Sequence, residues 1–121
     1  MIQDPPRFIY HIITDQAYKA ALNLGEYRAE SLANEGFIHF STMEQVLGTA
    51  QRFYKEHNDL VLLEVDTDVV RSEIRIEESE PGNWFPHLYG PLNLDAITGS
   101  RQFTKDEAGE FVFPYPERNN P

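Results

Sequence analysis

From Leu60 onward, strand-like segments follow one another too closely for helical crossovers. LVLLEVD (60–66) is a nearly continuous apolar run, as expected of a central strand buried on both faces. SEIRIEES (72–79) alternates, as a half-buried strand does. LDAITGSRQFT (94–104) and EFVFP (110–114) read as late strands, separated by the turn KDEAG (105–109). Parallel neighbours need a crossover of about a dozen residues or more, usually a helix. These spacings rule out a doubly wound parallel sheet and require antiparallel or mixed sheets.

The first half of the chain supplies the helices. RFIYHII (7–13) is β-branched and aromatic, a strand. Thr14 can cap the helix that follows, and DQAYKAALNL carries Ala17, Ala21 and Leu24 at helical spacing before Gly25 closes it. AESLANE (29–35) predicts a second short helical stretch, closed by Gly36. GFIHF (36–40) is the next strand. Ser41 with Glu44 three residues on forms a capping-box pattern, predicting a helix from Thr42 to about Lys55. Early helices and late strands give an α+β domain, with two or three helices and small antiparallel or mixed sheets around a cleft.

Composition narrows the partners. The 121 residues suit one domain, with a core over about 7–113 and a flexible tail at 114–121. The formal charge is −10, with ten basic residues against twenty acidic ones. Non-specific nucleic-acid binding depends on basic residues that neutralise phosphates, so that role is not expected. Anionic membranes are disfavoured for the same reason, and no apolar run is long enough to span one. Cysteine is absent, which removes disulfides and thiolate chemistry and fits a reducing compartment. The N-terminus MIQDPPRFIYHII has neither a basic leader nor a small-residue cleavage site, and it reads as that of a cytoplasmic protein.

Candidate chemistry gathers around three histidines. His11 lies in the first strand and His39 in the second; the plainer reading of each is a histidine satisfied in place. His57, in KEHNDL, reads as a solvated residue at a helix C-terminus. WFPHLYGPLNLDAI (84–97) concentrates Trp84, Phe85, His87 and Tyr89 between Pro86, Gly90 and Pro91. It is expected to be a rigid loop, either an aromatic cap over the core or a pocket wall. His11, His39 and His87 are expected to converge on one cleft as its catalytic groups. Ser41, Thr42, Phe85 and Tyr89 would hold the ligand. No GxSxG elbow or Asp–His pairing makes Ser41 a nucleophile. Three imidazoles could also form a metal site, but the chain has no HxxxH or HExxH pattern, so only folded distances could build one.

IYHIIT, SLANEGFIHFST, LVLLEVD and FPHLYGPLNLDAI together resemble the family called domain of unknown function 952, over roughly residues 8–103. The resemblance implies a fold similar to the ADP-ribosyltransferases, in particular the two-histidine branch that includes the RNA 2′-phosphotransferases. By that resemblance His11 matches a first-strand histidine at the nicotinamide ribose, and His39 matches the second-strand position. The cofactor implied is NAD or a related nucleotide, and the chemistry is ADP-ribosyl or phosphate transfer. A catalytic glutamate would fall near Glu77 or Glu78, which otherwise read as a solvated face. No arginine pair for phosphate is evident. The alternative is a ligand-binding or regulatory module that keeps the cleft without the chemistry.

Overall fold

A computed structural model describes residues 4–116. The first apolar segment forms β1 (Phe8–Thr14), and the Thr14 hydroxyl accepts the Ala17 N–H at 3.1 Å to start α1 (Asp15–Leu24). Gly25 stops α1 at φ 94°, a left-handed conformation that costs glycine little. The helix meets the core through Ala17, Tyr18 and Ala21. Leu24, expected on that face, ends the helix and is exposed. β2 (Glu26–Tyr27), α2 (Glu30–Glu35) and β3 (Ile38–His39) follow, with Gly36 ending α2 in the same left-handed way.

The third helix begins later than the capping-box pattern predicts. The Ser41 carbonyl accepts the Tyr10 N–H at 2.8 Å and its hydroxyl turns to Thr49, so neither serves the first turn of a helix. The box sits one residue on. The Gln45 side-chain oxygen accepts the Thr42 N–H at 3.0 Å, and the Thr42 carbonyl accepts the Val46 N–H. α3 then runs Val46–Phe53, ending short of Lys55.

β4 (Leu60–Asp66) is buried along its whole length. It lies between β1 and β8 (Ile97–Gln102), antiparallel to both. One face carries Val61, Leu63 and Val65 into a core with Ile9, Ile13, Ile38 and Leu88. The other carries Leu60 and Leu62 into a second core with Val46, Ala50 and Phe103. Each fully buried side chain of this size contributes about 1.5–3 kcal/mol, so a strand placed between two cores is the main organiser of the domain. Glu64 is buried within it because Tyr10 and Thr98 donate to its carboxylate at 2.8 and 2.9 Å.

A second sheet has the order β3-β6-β5, all antiparallel, built on the hairpin of β5 (Glu73–Glu80) and β6 (Asn83–Tyr89). The segment expected as a rigid loop is therefore the central strand of a sheet. Proline is tolerated there for a local reason. The Pro86 carbonyl accepts from Phe40 N–H, so its nitrogen faces the same edge, where β3 has already ended at His39. β7 (Leu92–Asn93) pairs with β2, and a 3₁₀ turn at Leu94–Ala96 leads into β8.

EFVFP does not form a strand. Its only ladder contact is the bridge Lys105–Phe111, which closes the turn, while Phe111 packs into the second core. Within the expected flexible tail, Tyr115 is 9% exposed and donates to the Leu62 carbonyl at 2.5 Å. The rest of that tail, 117–121, lies outside the described residues. Among the described residues no helix is long and apolar enough to cross a membrane. Over the described residues the protein is thus a small α+β fold with antiparallel sheets and three helices.

Candidate functional site

The two three-stranded sheets meet at the Tyr10–Ser41 bridge, and a cleft opens beside it. One lobe of about 280 Å³ lies between β1, α3 and the end of the β5–β6 hairpin. A second, of about 620 Å³, runs along β1 towards Thr14 and α2. The lobes share His11, Ile12 and His39, with Thr49 and Phe53 from α3 and the following Tyr54 opposite.

His11 is buried at the junction, and both of its ring nitrogens are occupied. Nδ1 faces the His39 carbonyl at 2.6 Å and Nε2 faces the Tyr27 hydroxyl at 2.8 Å. A carbonyl can only accept, so Nδ1 carries the proton and Nε2 accepts from Tyr27. Burial pushes the His11 pKa down to about 4, against the smaller opposing effect of the His39 carbonyl. Burial likewise raises the Tyr27 pKa. His11 is therefore a neutral strut whose nitrogens are both engaged.

His39 is half exposed, and its Nε2 meets Glu35 at 3.0 Å. It pairs across the ladder with His87, the ring centroids 5.5 Å apart. His87 is not in the cleft wall. It is buried beneath Phe37, the two rings stacked at 4.0 Å, with Nδ1 on Glu77 at 2.9 Å and Nε2 on Ser79 at 3.2 Å. The histidines thus form a chain through His39 and do not converge as three on one cavity. Among the described residues no group of three or more His, Cys, Asp or Glu is placed to hold a metal.

Of the expected ligand-holding residues, Ser41 and Phe85 line the smaller lobe. The Ser41 hydroxyl lies 3.4 Å from that of Thr49. Thr42 is engaged with Gln45 and does not line the cleft. Tyr89 does not line the cleft; its hydroxyl donates to Glu77, with the Arg75 guanidinium 4.3 Å over its ring. That hydroxyl, followed by His87, holds the Glu77 carboxyl below its ordinary pKa against the opposing effect of burial.

Sequence reasoning missed Arg52 and Glu80. Both line the smaller lobe and pair with each other at 2.5 Å. A signal for the first existed: Thr49, Arg52 and Phe53 stand at i, i+3 and i+4, which places them on one face of α3. Nothing in EESEPGN distinguishes Glu80 from Glu77 or Glu78, because its position depends on the irregularity in the ladder between Glu78 and Glu80.

Residues 12–100 match the model of the family described as Protein of unknown function (DUF952). The chain belongs to the DUF952 family. Protein CC0527 from Caulobacter crescentus is a structural neighbour. Its crystal structure aligns with a TM-score of 0.79 at 31% identity, covering 87% of this chain and 93% of that one. Its solution NMR structure aligns with a TM-score of 0.75 at 31% identity, covering 86% and 90%. No curated protein matches the chain. In this DUF952 protein the matched span contains every residue lining the smaller lobe except Tyr10 and His11.

Proposed function

We propose that the cleft binds a nucleotide-type ligand, NAD or a close relative. The supporting observation is the edge of β1 that forms its floor. Tyr10 turns its N–H and C=O outward to Ser41, away from β4. An antiparallel ladder alternates, so the N–H and C=O of Ile12 also turn outward, into the cleft. A backbone donor beside an acceptor matches the donor–acceptor edge of a nicotinamide carboxamide or an adenine. Phe40, Tyr54 and Phe85 supply aromatic surface beside it. The two lobes give a dinucleotide room on both sides of His39. The ADP-ribosyltransferase-like reading of the fold belongs to this proposal and is supported by the same arrangement of small sheets around a cleft.

Binding has more support here than transfer. Neither Glu77 nor Glu78 lines the cleft. Glu80 does, but Arg52 neutralises it. Arg52 is also the lysine or arginine available to a pyrophosphate in the smaller lobe, which would take the place of Glu80 on the guanidinium. Two substitutions should therefore act in opposite directions on NAD affinity, measured by titration calorimetry. Arg52→Ala should weaken it by about 1–3 kcal/mol, and Glu80→Gln should strengthen it. If both folded variants bind NAD as the parent does, or if the parent does not bind it, the proposal fails.

A further inference from the structure

We infer that Ser79, His87 and Glu77 form an activated-serine site that cleaves carboxylic esters at the edge of the cleft. Ser79 is exposed and lines the smaller lobe. Its hydroxyl lies 3.2 Å from His87 Nε2, and His87 Nδ1 lies 2.9 Å from Glu77 Oε1. The carboxylate can only accept, so Nδ1 carries the proton and the Nε2 lone pair faces the serine hydroxyl. This is the order of roles that makes a serine nucleophilic, and it is recognised by geometry whatever the sequence order. The supporting contacts fix it further. Phe37 stacks on the imidazole at an interplanar angle of 17°, and Tyr89 donates to the same Glu77 oxygen. The ladder irregularity between Glu78 and Glu80 sits at Ser79, where a bulge re-aims a side chain.

In the reaction, the Ser79 oxygen attacks the ester carbonyl carbon while Nε2 takes its proton. The carbonyl π pair moves onto oxygen; Arg52, in the same lobe, could meet that charge only by turning from its partner Glu80. Collapse breaks the carbon–alkoxide bond, and the alcohol leaves with the proton from Nε2. Water then attacks the acyl-serine with Nε2 again as base. The carboxylic acid departs and the serine regains its proton. The acyl group would lie against Phe40, Phe53 and Phe85, which points to an apolar acyl chain. Glu77 is a positioning residue, since it acts through His87. This activity does not depend on nucleotide binding in the cleft.

The test uses the absence of cysteine. Ser79→Cys introduces a unique thiol, which His87 should hold as thiolate. Iodoacetamide should alkylate it about tenfold faster at neutral pH than the thiol of Ser100→Cys, an exposed strand position. Adding Glu77→Gln to Ser79→Cys should remove that advantage. In the parent protein a fluorophosphonate should label Ser79, located by peptide mass spectrometry, and 4-nitrophenyl butyrate should be hydrolysed with a rate that falls at least about 100-fold in Ser79→Ala. Equal alkylation rates for the two thiols would overturn the inference, as would hydrolysis retained in folded Ser79→Ala or a label found elsewhere. The comparison of the two thiols needs no change at Glu77 or His87, so it stands even if Glu77→Gln fails to fold.

Discussion

The buried neutrality of His11 should make the protein acid-sensitive by a calculable amount. The folded pKa is about 4, against 6.5 for an ordinary histidine. Between these values the unfolded chain binds a proton that the folded chain does not, so stability falls as pH falls. The contribution is fully present above pH 6.5 and lost as pH drops through 4. The 2.5-unit difference corresponds to about 3 kcal/mol in total, of which about 2 kcal/mol is already gone at pH 5. That is a large share of the 5–15 kcal/mol that typically stabilises a domain. Carboxylates titrate in the same acid range, so the comparison is with His11→Gln. The glutamine amide can donate to the His39 carbonyl and accept from Tyr27, but it does not titrate. Urea unfolding at pH 7 and pH 5 should show the parent losing about 2 kcal/mol more than His11→Gln over that interval. An NMR titration of the His11 ring in the parent gives the same answer without a mutation. Equal losses in the two proteins, or a ring that titrates near 6.5, would refute the tautomer and burial assigned to His11.

Two glycines give opposite outcomes. Gly48 lies inside α3 with nothing within 4 Å of an added Cβ, so Gly48→Ala should stabilise by about 1 kcal/mol, seen as a higher thermal midpoint. A Cβ on Gly99 would lie 2.7 Å from the Tyr115 ring, so Gly99→Ala should destabilise by about 1–3 kcal/mol in urea unfolding. An unchanged midpoint would mean that Tyr115 is not seated on β8.

The features legible in the sequence were those set by neighbouring residues. Thr14 caps α1, and Gly25 and Gly36 stop their helices, because these effects act within one turn. The run LVLLEVD disclosed a doubly buried strand because both faces need apolar groups. The misread segments depended on distant partners. Pro86 looked incompatible with a central strand because only the early end of β3 makes it compatible. Ser41 looked like a cap because its bridge to Tyr10, thirty-one positions away by numbering, is invisible locally. Of the expected site residues, His11, His39, Ser41 and Phe85 line the cleft, and residue type alone points to them. His87, expected in the cleft, is instead drawn to Glu77 and Ser79, and those bonds depend on how β5 crosses β6.

The topology also sets the order in which the molecule can assemble. β1 precedes its partner β4 by more than forty residues, with Phe8 facing Asp66. The β5–β6 hairpin closes on itself across a short turn. Local pairing forms faster than pairing that must first close a long loop. The hairpin, with Glu77, Ser79 and His87 upon it, should therefore fold ahead of the β1–β4 pair that holds His11. Until β4 arrives, FIYHIIT is an unpaired apolar strand of the kind that seeds association between chains. Asp4, Pro5, Pro6 and Arg7 precede it. Prolines and charges at a strand margin blunt such pairing. Their removal should lower the yield of refolding at high protein concentration while leaving the native domain intact.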